Sequence, residues 1–102
     1  MTSGLLDAAA VESALAGLDG WTLEEGGGAI GKRFVFADFS AAFGFMARAA
    51  LAAEKLDHHP EWSNVYNRIE VRLATHSARG LTGLDFELAR AMDRIAATLP
   101  GK

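Results

Sequence analysis

The sequence has no cysteine, which excludes disulfides, zinc–thiolate sites, iron–sulfur clusters and thiol nucleophiles together. It also has no excess of basic charge. Ten Lys and Arg stand against thirteen Asp and Glu, for a formal net charge of −3, so nothing draws the chain generally to phosphate backbones or anionic lipid. Nucleic acid is not expected as a direct ligand. Long apolar runs are missing as well. The alanine-rich N-terminal stretch is interrupted by Asp7 and Glu12 and lacks a basic leader region, so it reads as neither a signal peptide nor a membrane span. The absence of cysteine fits a reducing, cytoplasmic setting.

What is present is the material of a packed core. Half of the 102 residues are hydrophobic and 23% are charged, which argues against disorder. The length suits a single domain over residues 1–102. A core this small gains stability from self-association when no disulfide or metal staples it.

Leu5 to Leu18 has Val11, Ala14, Leu15 and Leu18 at helical spacing, with Gly20 as a stop. Trp21–Glu25 and Ala29–Phe36 flank three glycines, Gly26 to Gly28, and read as a hairpin. Phe39 to Leu56 is the strongest helical signal. Phe39, Phe43, Met46, Ala50 and Ala53 recur at three- and four-residue steps, Asp38 or Ser40 can serve as N-cap, and Phe34, Phe36, Phe39, Phe43 and Phe45 are expected in the core. Pro60 disfavours helix at His59. Trp62–Tyr66 and Ile69–Thr75 then form a second strand pair around Asn67-Arg68, with Ile69, Val71, Leu73 and Thr75 on the buried face.

The last helix opens on Thr82 as N-cap, with Asp85 three residues on and Leu81 and Phe86 as a hydrophobic staple. Leu84, Leu88, Met92, Ile95 and Leu99 continue its apolar stripe until Pro100-Gly101. The order is α-β-β-α-β-β-α. The expected fold is α+β, a four-stranded antiparallel sheet with three helices on one face.

All three histidines, His58, His59 and His76, fall within nineteen residues at element ends, and the intervening hairpin can return His76 toward the pair. Imidazole serves as both acid and base near neutral pH. Two of them flanking a small substrate could protonate a leaving hydroxyl and deprotonate a neighbouring nitrogen, which suits elimination of water. Two other readings stand beside this one. The histidines can be incidental residues of loops and strand ends, or they can bind zinc or iron together with Asp57 or Glu54. Trp62 and Tyr66 pack, or wall a flat heterocycle. Arg68, Arg72 and Arg79 form a solvated charge face.

The run from Glu54 through Asp57-His58-His59-Pro60-Glu61-Trp62, Tyr66, Thr75-His76, Gly80-Leu81-Thr82 and Asp85 resembles the signature of the pterin-4a-carbinolamine dehydratases. In that pattern a charged residue is followed after three positions by His-His-Pro, after five by an aromatic, after nine by a histidine and after at least eight by an aspartate. Glu54, His58-His59-Pro60, Tyr66, His76 and Asp85 match it at every spacing. The similarity extends from about Arg33 to Ile95.

The resemblance implies dehydration of 4a-hydroxytetrahydropterin to quinonoid dihydropterin, in tetrahydropterin recycling after an aromatic amino acid hydroxylase. It implies no metal and no cofactor, and a homo-oligomer, dimer or tetramer. Carried over residue by residue, His58 and His76 would be the acid–base pair, with His59 orienting the pterin. Asp57, Ala74, Thr75 and Ser77 would contact the ring, Pro60 and Trp62 would shape the wall, Asp85 would tune a histidine, and Glu54 and Tyr66 would support. The alternative is a non-catalytic, oligomerising binding or assembly module on the same fold.

Overall fold

The computed structural model describes residues 4–102. Helix α1 spans Ala8–Ala16, strand β1 Thr22–Leu23, β2 Ile30–Val35, helix α2 Phe39–Leu56, β3 Glu61–Val65, β4 Arg68–Leu73 and helix α3 Gly83–Ala96, with a 3₁₀ turn at His76–Ala78 between β4 and α3. The expected order α-β-β-α-β-β-α is the one found. The four strands form one antiparallel sheet in the order β1-β2-β4-β3. The two hairpins therefore meet through β2 and β4, with Ile30 opposite Leu73 and Val35 opposite Arg68.

Local chemistry sets the boundaries. Asp7 caps α1, its Oδ1 accepting the Ala10 N–H at 2.8 Å, and Gly17 ends it, so this helix is shorter than the Leu5–Leu18 periodicity suggested. The first hairpin reverses through Gly26 and Gly27 at φ +95° and +78°, a region glycine enters without a Cβ penalty. Its first strand shrinks to two residues. Trp21 leaves the ladder to bury its ring against Phe34, and its indole N–H donates to both Asp93 oxygens at 3.1 Å. The second reversal is centred one residue earlier than expected, on Tyr66 (φ +51°) and Asn67, with the Asn67 side chain donating to the Phe36 carbonyl at 2.8 Å.

One face of the sheet meets the helices. Ile30 and Phe34 of β2, together with Ile69, Val71 and Leu73 of β4, are buried with Phe45, Phe86, Leu88 and Met92 of the helices. A fully buried side chain of this size contributes roughly 1.5–3 kcal/mol. The opposite face is charged. Arg33 pairs with Glu70, and Arg72 pairs with both Glu24 and Glu61.

The face of α2 needs correction. Asp38 is its N-cap, accepting the Ala41 N–H at 2.8 Å, and the helix buries Ala41, Ala42, Phe45, Ala49 and Ala53. Phe39 and Phe43, expected in the core, are exposed. The reason is steric: alanines on the inward face let the helix lie close to the sheet and α3, whereas a phenylalanine row would hold it away. The bulky residues take the outside.

Candidate active site

The end of α2 is where the histidine pair is placed. Asp57 takes a left-handed conformation, φ +52° and ψ +43°, and the N–H groups of Asp57 and His58 both return to the last turn, at Glu54 and Ala53. This is the αL termination usually supplied by glycine, which Asp adopts more readily than most residues. It reverses the chain, so that His58 turns inward and is buried while His59 stays exposed. Pro60 follows and Glu61 opens β3.

His76 arrives from the other side. Thr75 is buried at the end of β4, and its backbone exchanges hydrogen bonds with Gly80 at 2.8 and 3.3 Å. The loop between them is tight, closed by the 3₁₀ turn and by Arg79 in the left-handed region, and His76 stands at its start, exposed.

Between these two segments lies a cleft of about 420 Å³. One wall is Asp57, His58, His59, Pro60 and Glu61; the other is Ala74, Thr75, His76 and Ser77. Two larger hollows, one on the charged outer face of the sheet and one between α1 and the first hairpin, contain no histidine. The cleft is thus the smallest of the three and holds all of the imidazoles.

Each histidine faces a different carboxylate. His58 Nε2 lies 2.6 Å from Asp85 Oδ1, and both groups are buried. His59 Nε2 lies 2.9 Å from Glu54 Oε1 at the surface. His76 Nε2 is 3.6 Å from Glu61 Oε2, ion-pair range without a hydrogen bond. Asp85 is the third residue of α3. Its other oxygen accepts the Thr82 N–H at 2.9 Å and the Thr75 hydroxyl at 2.8 Å, so the capping box that starts α3 also holds the partner of His58. No three His, Asp or Glu side chains converge as a metal ion requires among the described residues.

Asp57, His58, His59, Pro60, Ala74, Thr75, His76 and Ser77, singled out from the sequence, line one cleft. Asp85 lies behind His58, and Glu54 holds His59. Two residues are elsewhere. Trp62 pairs with Val71 across β3–β4 and packs against the core, outside the cleft lining, because it alternates with Glu61 to the opposite face of the strand. Tyr66 sits in the turn at the far end of β3, exposed, roughly 16 Å along the strand from Glu61 at about 3.3 Å per residue. Glu61 is the residue that sequence reasoning left without a role. The hairpin register that sets it opposite Arg72 was the signal, since it also brings Glu61 level with the strand leading to His76.

Fold and cleft together define a small α+β protein with a histidine–carboxylate site built at the ends of one helix and two sheet strands. Residues 4–95 match the family Pterin 4 alpha carbinolamine dehydratase, and the chain belongs to that family. A candidate pterin-4-alpha-carbinolamine dehydratase from Chelativorans sp. (strain BNC1) is 61% identical over 92 residues, covering 90% of this chain and 94% of the relative. A protein of the same designation from Rhizobium etli is 58% identical over 97 residues, 95% of this chain and 96% of the relative. A crystal structure described as a transcriptional coactivator/pterin dehydratase from Brucella melitensis superposes with a TM-score of 0.89 at 57% identity, covering 91% of this chain and 99% of that one.

Proposed function

We propose that this protein dehydrates 4a-hydroxytetrahydropterin to quinonoid dihydropterin by histidine acid–base catalysis. The observation that carries the proposal is the meeting of His58 and His76 in one cleft, with His58 backed by the buried Asp85. In the proposed reaction an imidazolium protonates the C4a hydroxyl, the C4a–O bond breaks and water leaves. The N5 lone pair forms the N5=C4a bond, and a neutral imidazole takes the N5 proton. Atoms and charge balance without a cofactor. General acid and general base each contribute typically ~10²–10⁴ in rate.

His58 and His76 form the acid–base pair in this reading, and His59, held by Glu54, orients the ring. Asp57 and the Ala74–Ser77 segment contact the pterin across the cleft. The reaction belongs to tetrahydropterin recycling in the cytoplasm, linked to an aromatic amino acid hydroxylase that supplies the carbinolamine. The active form is a homo-oligomer, a reading favoured by Phe39, Phe43 and Leu51 standing exposed along α2.

A second reading, a binding module on the same fold, draws on the words transcriptional coactivator in the description of the Brucella structure. Stopped-flow decay of the carbinolamine separates the two. His58→Ala and His76→Ala should each slow the catalysed decay by at least ~10²-fold. Near wild-type rates in both variants would overturn the dehydratase reading.

A further inference from the structure

The hydrogen-bond donors around Asp85 can be counted one by one. A carboxylate accepts only, and each threonine hydroxyl has one proton to give. Thr75 Oγ1 lies 2.8 Å from Asp85 Oδ2 and 2.8 Å from Thr82 Oγ1. Its proton therefore goes to Asp85, and the proton of Thr82 goes to Thr75. Thr82 Oγ1 in turn accepts the Leu84 N–H at 3.3 Å, and its own N–H supplies the second donor to Oδ2 at 2.9 Å. With Oδ2 filled, Oδ1 is left for His58 Nε2, which donates across 2.6 Å.

The other ring nitrogen is fixed by elimination. Nδ1 of His58 has no hydrogen-bond partner among the described residues, and no buried side-chain nitrogen or oxygen there lacks one. Nδ1 is therefore solvent-accessible, on a residue that lines the cleft.

We infer that His58 exchanges protons with substrate through Nδ1, and that Thr75 and Thr82 are positioning residues whose directional hydroxyl chain holds Asp85, and through it the Nε2–H tautomer. The inference rests on the dehydratase reading for its substrate, but not for its geometry. Thr82 thereby does two things at once: it caps α3, and it starts the chain that ends on the imidazole. All three supporting groups are buried, Thr82 and Asp85 completely, so water does not compete for these bonds.

The test reads the tautomer directly. Long-range proton–nitrogen correlation spectra of the free protein, at a pH where imidazole is neutral, should show His58 protonated at Nε2 and bare at Nδ1. Thr75→Val keeps the shape and removes the hydroxyl. It should mix the two tautomers and lower kcat about tenfold, the scale of one hydrogen bond. Thr75→Ser should restore both readouts. Thr82→Val and Thr82→Ser should behave as a parallel pair.

An Nδ1–H tautomer for His58 in the wild-type protein would overturn the inference. So would a folded Thr75→Val with unchanged tautomer and unchanged kcat. If Thr75→Val does not fold, the wild-type spectrum decides. A protein with the Nε2–H tautomer and its loss in Thr75→Val, but no dehydratase activity, would uphold the positioning chain and remove the dehydratase reading.

Discussion

An imidazole is a directed acid or base only when something decides which of its nitrogens carries the proton. Here three carboxylates stand beside three histidines, and burial separates their effects. The His59–Glu54 pair is exposed, with side chains 57% and 79% accessible, and such pairs contribute at most about 1 kcal/mol. The His58–Asp85 pair is buried, and removing the ring would strip a donor from a carboxylate that cannot reach water. His58→Ala should therefore cost roughly 1–3 kcal/mol, a fall in Tm of about 4–8 °C per kcal/mol for a domain of this size. His76→Ala, at the surface, should stay within about 0.5 kcal/mol. Thermal denaturation of the two variants side by side checks this contrast.

Glu61 acts differently, by position. It is tethered to Arg72 and faces His76, so Glu61→Ala should lower turnover about tenfold through misplacement of His76. In a His76→Ala background the same change should have little further effect. A double-mutant cycle on the dehydration rate measures the coupling, and additive losses would show that Glu61 does not work through His76.

At the scale of elements, the site is made by terminations. The left-handed turn at Asp57 ends α2 and points successive histidines in opposite directions, the bridge between Thr75 and Gly80 closes the loop that follows β4, and the capping box at Thr82 and Asp85 starts α3. Asp85 serves both the capping box and His58, so helix initiation and imidazole orientation cannot be changed independently. The capping pattern was plain in the sequence because Thr and Asp stood three residues apart before an apolar stripe. The turn at Asp57 was not, because an aspartate doing the work of glycine carries no distinctive pattern.

The strands present a second, titratable feature on the outer face. The Arg72 hydrogen bond holds the Glu24 carboxyl below its ordinary value of 4.5, opposed by slight desolvation and aided by Coulomb attraction. A lowered carboxyl stabilises the folded state above its unfolded pKa, and that contribution is lost as pH falls through the lowered folded value. Arg72→Gln should therefore return the Glu24 titration toward 4.5, followed by carboxyl-carbon NMR. An unchanged Glu24 midpoint would separate it from Arg72.

For the whole molecule, three of the seven large exposed apolar residues among those described stand on α2. Phe39, Phe43 and Leu51 lie at multiples of four residues and are 49%, 59% and 73% exposed, and Phe39 and Phe43 contact each other with ring centroids 6.1 Å apart. A row of this kind marks an association surface more often than a tolerated defect. If the proposed homo-oligomer forms through it, Phe43→Glu should lower the mass found by light scattering after size-exclusion chromatography, without a loss of helical signal by circular dichroism. An unchanged mass would place the contact elsewhere.

Element types, their order, the N-cap at Thr82, the buried face of β4 and the clustering of the histidines could all be read from the chain alone, and for α2 the N-cap was narrowed to Asp38 or Ser40. These depend on periodicity and on residues a few positions apart, which a linear sequence records. Three things had to wait for the tertiary structure. The first was the burial of alanines beneath α2, with Phe39 and Phe43 outside, since packing distance between layers is a property of both layers. Next came the separation of Trp62 and Tyr66 from the cleft, since strand alternation and strand length carry them away from residues that neighbour them in sequence. The last was the assignment of Asp85, Glu54 and Glu61 to separate histidines, because polar contacts between side chains 27, 5 and 15 residues apart are set by how the hairpin and the helix ends meet.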